Sequence, residues 1–169
     1  MSLPAPRPGD QARAMVLVRL PREETFRIFT EEIDLWWRRG MKFREAGKRR
    51  GIIALEPGVG GRLFEEFEDV RGRKRVMQTG EVLVWDPPST LTLRWRNSAF
   101  APDEATEVQV DFEQSPSGTR VTVTHRGWAD LRPDHPARHG HEMVQFIGEL
   151  GRWWGDLLQS LQLHAMAGD

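Results

Sequence analysis

The sequence predicts an α+β domain in which one long C-terminal helix lies across an antiparallel sheet. Three observations carry this. From about residue 138 to 165, Met143, Phe146, Ile147, Leu150, Trp153, Trp154, Leu157, Leu158 and Leu161 recur at steps of three and four, the period of one broad apolar face on a helix. Upstream, the rows Leu91/Leu93/Trp95, Val108/Val110/Phe112 and Val121/Val123/His125 alternate with polar residues, the period of half-buried strands. Those rows are separated by turn signals alone, which favours an antiparallel meander with one face to be covered. A helix of about 25 residues spans roughly 37 Å, enough to cross a small domain and cover that face.

The chain in order supports the same architecture. Residues 2–9 carry Pro4, Pro6 and Pro8, so residues 1–11 are read as a flexible leader and 12–167 as a single domain. Residues 15–20 are an apolar, β-forming run that Pro21 stops. Pro21, Glu23 and Glu24 suit a first helical turn, with Phe26 and Phe29 on one face, and residues 31–37 read as a second short helix. Residues 38–50 are basic and irregular, a solvated connection. Residues 51–56 and 62–67 read as strands joined by the Pro-Gly-Val-Gly-Gly run at 57–61. A phosphate-cradling loop needs Lys-Ser/Thr and a helix after it, and both are missing, so a hairpin turn is expected. The basic run at 71–75 is a solvated turn or, as the minority reading, an anion patch. Residues 80–86 form a strand closed by Pro87 and Pro88, which cannot extend a ladder. Strands at 91–95, 106–112 and 121–125 follow, with connections at 97–105 and 115–118. Pro133 and Pro136 keep the long helix from starting firmly before Ala137.

Composition sets the outer bounds. A chain of 169 residues, 38% hydrophobic and 29% charged, has the make-up of an ordinary globular domain with its own core. Lys plus Arg (24) nearly cancels Asp plus Glu (25), which argues against nucleic acid as the main partner. Absence of cysteine excludes disulfides, thiolate metal sites and thiol nucleophiles. There is no apolar run of membrane-spanning length and no signal-peptide layout, so a cytoplasmic location is expected. Seven Trp and eight Phe without any Tyr either pack the core or wall a cavity for a flat apolar ligand.

A few polar residues stand out against this background. Strand parity puts Leu63, Glu65 and Phe67 on one face, so an inward Leu63 brings a carboxylate inward too, while Phe64 competes for the same side. His125 ends an apolar row and is either a hydrogen-bonded structural histidine or half of an acid–base pair with Glu65. His135, His139 and His141 match a metal cluster in number only, with Asp134 or Glu142 as the nearby carboxylates, and a solvent-facing helix start is the favoured reading. No Ser-His-Asp word, nucleophile elbow or dinucleotide fingerprint is present.

Five words occur in order: Thr-Glu-Glu-Ile-Asp-Leu-Trp-Trp at 30–37, Leu-Glu-Pro-Gly-Val-Gly-Gly-Arg-Leu-Phe-Glu at 55–65, Gly-Glu-Val-Leu-Val-Trp-Asp-Pro-Pro at 80–88, Leu-Thr-Leu-Arg-Trp at 91–95 and Gly-Thr-Arg-Val-Thr-Val-Thr-His-Arg-Gly-Trp at 118–128. Together they closely resemble the SRPBCC domains of the Hsp90-ATPase-activator-like (AHSA1-like) family, within the START/Bet v 1-like superfamily. The resemblance implies a helix-grip fold: a curved antiparallel sheet of about six or seven strands around the C-terminal helix, two short helices after strand 1, and a cavity between. It implies binding of a small apolar or aromatic molecule, with Trp37, Phe64, Glu65, Trp95, Phe112, His125, Trp128, Phe146 and Trp153 as lining residues. Relatives also include a co-chaperone domain, so a chaperone ATPase of the Hsp90 type is the alternative partner, and a cyclase- or hydrolase-like enzyme using Glu65 and His125 is a third reading. No cofactor and no metal is expected, and the chain is expected to be a monomer or homodimer. Members commonly show Gly-Trp before a Leu series in the last helix, where this chain has Gly-Arg-Trp-Trp at 151–154.

Overall fold

In the computed structural model, which describes residues 10–167, Pro21 both follows the first strand, β1 (Ala12–Val18), and caps the first helix, α1 (Arg22–Glu31). Proline suits that position because the helix start needs no N–H from it. Glu23 and Glu24 lie in the first turn, and Phe26, Ile28 and Phe29 turn inward. A second short helix, α2 (Ile33–Trp36), follows directly. Residues 1–9 of the expected leader lie outside the described residues. Asp10 is buried, and its carboxylate accepts from the backbone N–H of Ala129 at 3.0 Å.

Six further strands complete the sheet: β2 (Gly51–Leu55), β3 (Arg62–Glu68), β4 (Lys74–Asp86), β5 (Thr90–Trp95), β6 (Thr106–Ser115) and β7 (Gly118–Arg126). Their order is β1-β7-β6-β5-β4-β3-β2, with every neighbouring pair antiparallel. Chain neighbours pair from β2 to β7, and β1 returns beside β7. The two short helices therefore carry the chain from one edge of the sheet to the other. Register shifts at Leu63/Phe64 and at Val82/Val84 bend the sheet. Gly80 lies beside the first of these, where an added Cβ would stand 3.2 Å from the Cβ of Leu63.

The inward rows are the predicted ones: Leu91, Leu93 and Trp95, then Val108, Val110 and Phe112, then Val121, Val123 and His125, all buried. Helix α3 (Met143–Ala167) lies over them and buries Phe146, Trp154, Leu157, Leu158, Leu161 and Ala165. It is pinned to α2 by Ser160, whose hydroxyl donates to the carbonyl of Trp36 at 2.6 Å. Among the described residues no helix is long and apolar enough to cross a membrane.

Three local expectations need correction. The basic run at 71–75 is not all turn, because β4 already begins at Lys74. Asp69 organises the turn: its carboxylate accepts from the backbone N–H of Arg71 and Arg73 and pairs with the side chains of Arg73 and Arg75. Those backbone and side-chain donors, Arg73 N–H foremost, hold the Asp69 carboxyl below its ordinary range. The connection at 38–50 is not simply solvated either. Arg44 is buried, with its guanidinium donating to the Asp34 carboxylate at 2.7 Å and to the carbonyls of Asp34, Trp37 and Arg38. The planar fork of donors matches the exposed carbonyls at the end of α2, which composition alone does not show. Finally, residues 136–138 form a separate 3-10 turn (Pro136–Arg138) closed by His139 in the left-handed region, so α3 starts at Met143.

Candidate functional site

Four tryptophans meet where β5, α2 and α3 converge. Trp95 ends the inward row of β5, Trp37 follows α2, and Trp153 and Trp154 are consecutive on α3. Each of the four rings contacts the other three, with centroid separations from 4.9 Å (Trp153–Trp154) to 6.4 Å (Trp37–Trp95). Successive helical positions point about 100° apart. Trp154 consequently faces the sheet while Trp153 faces the connection at 38–50, where its indole N–H donates to the carbonyl of Lys42 at 2.8 Å and Phe43 stacks at 5.9 Å.

Below this cluster His125 is enclosed in a chain of hydrogen bonds. The indole N–H of Trp154 donates to Nδ1 at 3.1 Å, and Nε2 lies 2.7 Å from the hydroxyl of Thr106. An accepting Nδ1 places the single ring proton on Nε2, which donates to Thr106; the Thr106 hydroxyl in turn faces the carbonyl of Trp95. Burial pushes the imidazole down to about 3. His125 is thus neutral with both nitrogens engaged inside the protein, the structural alternative of the two weighed above.

Glu65 points inward with Leu63 and Phe67, but it is engaged too. Its two carboxylate oxygens accept from the consecutive backbone N–H groups of Glu45 and Ala46 at 2.8 and 3.3 Å, which fastens the 38–50 connection over the sheet. Burial raises the carboxyl above its ordinary value, and the two N–H groups oppose that rise. Phe64 takes the opposite face, where the guanidinium of Arg62 lies 4.5 Å from its ring centre. Of these adjacent residues only Glu65 reaches the interior, as the period of two requires.

Two adjoining cavities open beside the tryptophans. The larger, about 780 Å³, lies between the ends of β5 and β7, the connection before α3 and the first turns of that helix; Trp95, His125, Trp128, Phe146, Leu150 and Trp153 form its aromatic and aliphatic wall. Gly127, at φ 100°, turns the chain out of β7 so that Trp128 packs against Phe146 and His125 at 4.6 and 5.0 Å. Met41, Lys42, Asn97, His139, His141, Glu149, Arg152 and Asp156 stand around the same cavity. Glu149 is paired with Arg152 at 2.8 Å and Asp156 with Lys42 at 3.6 Å. The smaller cavity, about 180 Å³, lies beneath the 38–50 connection and includes Trp37 and Glu65 in its wall. Met41, Lys42, Trp95, Asn97 and Trp153 border both.

The nine expected lining residues therefore divide. Trp95, His125, Trp128, Phe146 and Trp153 border the larger cavity, and Trp37 and Glu65 border the smaller one only. Phe64 and Phe112 border neither. Phe112 is fully buried with Phe26 and Phe29, at 5.0 and 5.5 Å, because the inward row of β6 runs away from the cavity toward α1. Residues that sequence reasoning did not single out for the cavity include Met41, Lys42, Asn97, His139, His141 and Leu150; of these six only Leu150 carried a signal, as part of the α3 stripe. The three histidines do not form one cluster. His135 is buried, with Nδ1 accepting from Ala137 N–H and Nε2 against Glu104 at 3.0 Å, whereas His139 and His141 stand at the cavity mouth. Among the described residues no group of three or more His, Asp or Glu is arranged to hold a metal ion.

The family model described as Activator of Hsp90 ATPase homolog 1-like protein matches residues 19–150 of this chain. No curated protein matches it. Several solved structures share the fold. A protein from Nitrosomonas europaea is 16% identical, with 99% of this chain and 100% of that chain covered and a TM-score of 0.65. A protein from Mesorhizobium loti is 20% identical, with 94% and 98% covered and a TM-score of 0.63. A protein of the dynemicin biosynthetic locus is 18% identical over 95% of this chain and 48% of that one, with a TM-score of 0.63. Likeness at these identities speaks for the fold alone.

Proposed function

The chain belongs to the Activator of Hsp90 ATPase homolog 1-like family, and we propose that it binds a small, mostly apolar molecule in the larger cavity between the end of the sheet and the C-terminal helix. The observation that carries this reading is a cavity of about 780 Å³ walled by Trp95, Trp128, Phe146, Leu150 and Trp153. Its size and apolar wall are those of small-molecule sites, which run from roughly 300 to 1,000 Å³ with a few placed polar groups. An acid–base enzyme built on Glu65 and His125 is not favoured, because all four of their polar atoms are engaged within the protein.

Fluorescence titration of the ligand-free chain with methylnaphthalene tests the proposal. A saturable change in tryptophan emission is expected, and absence of saturation overturns it. A co-chaperone role of the kind in the family's description would act through the outer surface; binding to an Hsp90-type ATPase in calorimetry, with no methylnaphthalene binding, would put that reading ahead.

A further inference from the structure

The polar groups of the larger cavity are unbalanced. Trp128 is 2% exposed, and its indole N–H is buried with no acceptor among the described residues. An unanswered buried donor is costly, so native proteins retain few of them without a reason. Asn97 adds to the imbalance. Its side-chain oxygen accepts from Ala99 N–H at 2.9 Å, which fixes the amide orientation and leaves the NH2 group of this cavity-bordering residue without an acceptor among the described residues. The carboxylates at the mouth are already matched, Glu149 by Arg152 and Asp156 by Lys42. In the chain, Arg138 lies between two cavity residues, Ala137 and His139. It is 5% exposed, donates through Nη2 to the carbonyl of His141, has no acceptor for Nε, and forms no ion pair with a carboxylate among the described residues. A buried guanidinium without a counter-charge favours an anion nearby.

Resting on the cavity reading above, we infer that the ligand is an aromatic or acyl carboxylate. Its apolar body lies against Trp95, Phe146 and Leu150, and its carboxylate takes the free donors of Trp128 and Asn97 on the side of the cavity nearest Arg138. A hydrocarbon leaves those donors unanswered, and an amine brings a second set of donors and a like charge.

The test is calorimetry of the full chain with naphthoate, naphthylmethylamine and methylnaphthalene at neutral pH, repeated on Asn97→Asp and Trp128→Phe. Asn97→Asp keeps the oxygen that Ala99 N–H uses and exchanges the donor group for a negative one. Trp128→Phe keeps a ring against Phe100 and Phe146 and removes the N–H. Wild type should bind naphthoate about ten-fold or more tighter than the other two, the scale of one charge-assisted hydrogen bond. Asn97→Asp should abolish that preference, and Trp128→Phe should narrow it several-fold, with naphthoate losing more affinity than methylnaphthalene. Equal binding of the amine or the hydrocarbon by wild type, or a preference that survives in both variants, overturns the inference and leaves cavity binding standing. Failure of all three compounds to bind removes the cavity reading and this inference with it.

Discussion

Trp154 and His125 fix one another: the indole N–H of the helix residue donates at 3.1 Å to Nδ1 of the strand residue, and neither has more than 2% of its surface exposed. The pair ties α3 to β7 by a polar contact inside an otherwise apolar interface, and it selects the tautomer that hands the ring proton to Thr106. Protonating Nδ1 would set two donors against each other in a site that cannot hydrate the charge.

Acid stability follows from that pair. His125 has a folded value depressed from 6.5 to about 3, so its contribution is complete above about pH 6.5 and is lost as pH falls toward 3. The slope approaches about 1.4 kcal/mol per pH unit within that window, or up to about 2 kcal/mol between pH 7 and pH 5. Urea denaturation at the two pH values should show a loss of this order in wild type and a flatter response in His125→Gln. Equal slopes in both proteins would mean that the imidazole is not desolvated.

Glu65 acts with the opposite sign. Its carboxyl is raised above 4.5 by burial, so its contribution is present below the unfolded value and is lost as pH rises through the folded one. Replacing it by Gln should therefore make the acid loss of the protein steeper than in wild type. The substitution also turns an amide NH2 toward the N–H of Glu45 or Ala46. Hydrogen exchange at those two amides should quicken by at least ten-fold while the sheet stays protected, and unchanged exchange would show that the carboxylate does not hold the 38–50 connection.

Leu157 is fully buried in the face of α3 that meets the sheet. Leu157→Ala should cost about 2–5 kcal/mol through lost contacts and an unfilled space. Chemical denaturation with an unchanged slope checks this, and a loss under about 0.5 kcal/mol would contradict the packing of helix on sheet.

Phe146 lies on the floor of the larger cavity, against Trp128 at 4.6 Å. Phe146→Trp should fill part of that space and weaken binding of methylnaphthalene by about 1–3 kcal/mol, with little change in folding stability. Titration of wild type and variant, each shown to be folded, measures the difference; undiminished affinity would place the ligand elsewhere.

The sheet was legible because alternation has a period of two and turn chemistry is local, so Leu91 to Trp95 and Val121 to His125 announced their inward sides. The α3 stripe was legible for the same reason, with its own period. What escaped depends on where irregular backbone goes. Arg44 reads as a solvated charge until the carbonyls of α2 are seen to need donors, and Asn97, His139 and His141 lie in connections with no repeat to place them. Phe112 was misassigned because face and height are separate coordinates: alternation says that its row points inward, and only the register against Val121 says how far along the sheet it lies. Phe64 and Glu65 could not both be inside, and the paired backbone amides of Glu45 and Ala46 decided for the carboxylate.

Four indoles in mutual contact also change what light reports about this molecule. Trp37, Trp95, Trp153 and Trp154 are close enough for excitation absorbed by one to pass to its neighbours before emission, and through Trp37 to Trp36 at 5.5 Å, so the cluster acts as a coupled set. Its near-ultraviolet circular dichroism should be strong and should vanish as a unit when α3 leaves the sheet. A molecule that quenches indole emission and sits against Trp95 or Trp153, the two that border the larger cavity, will therefore lower the signal of more than the ring it touches, an optical sensor for an occupied site.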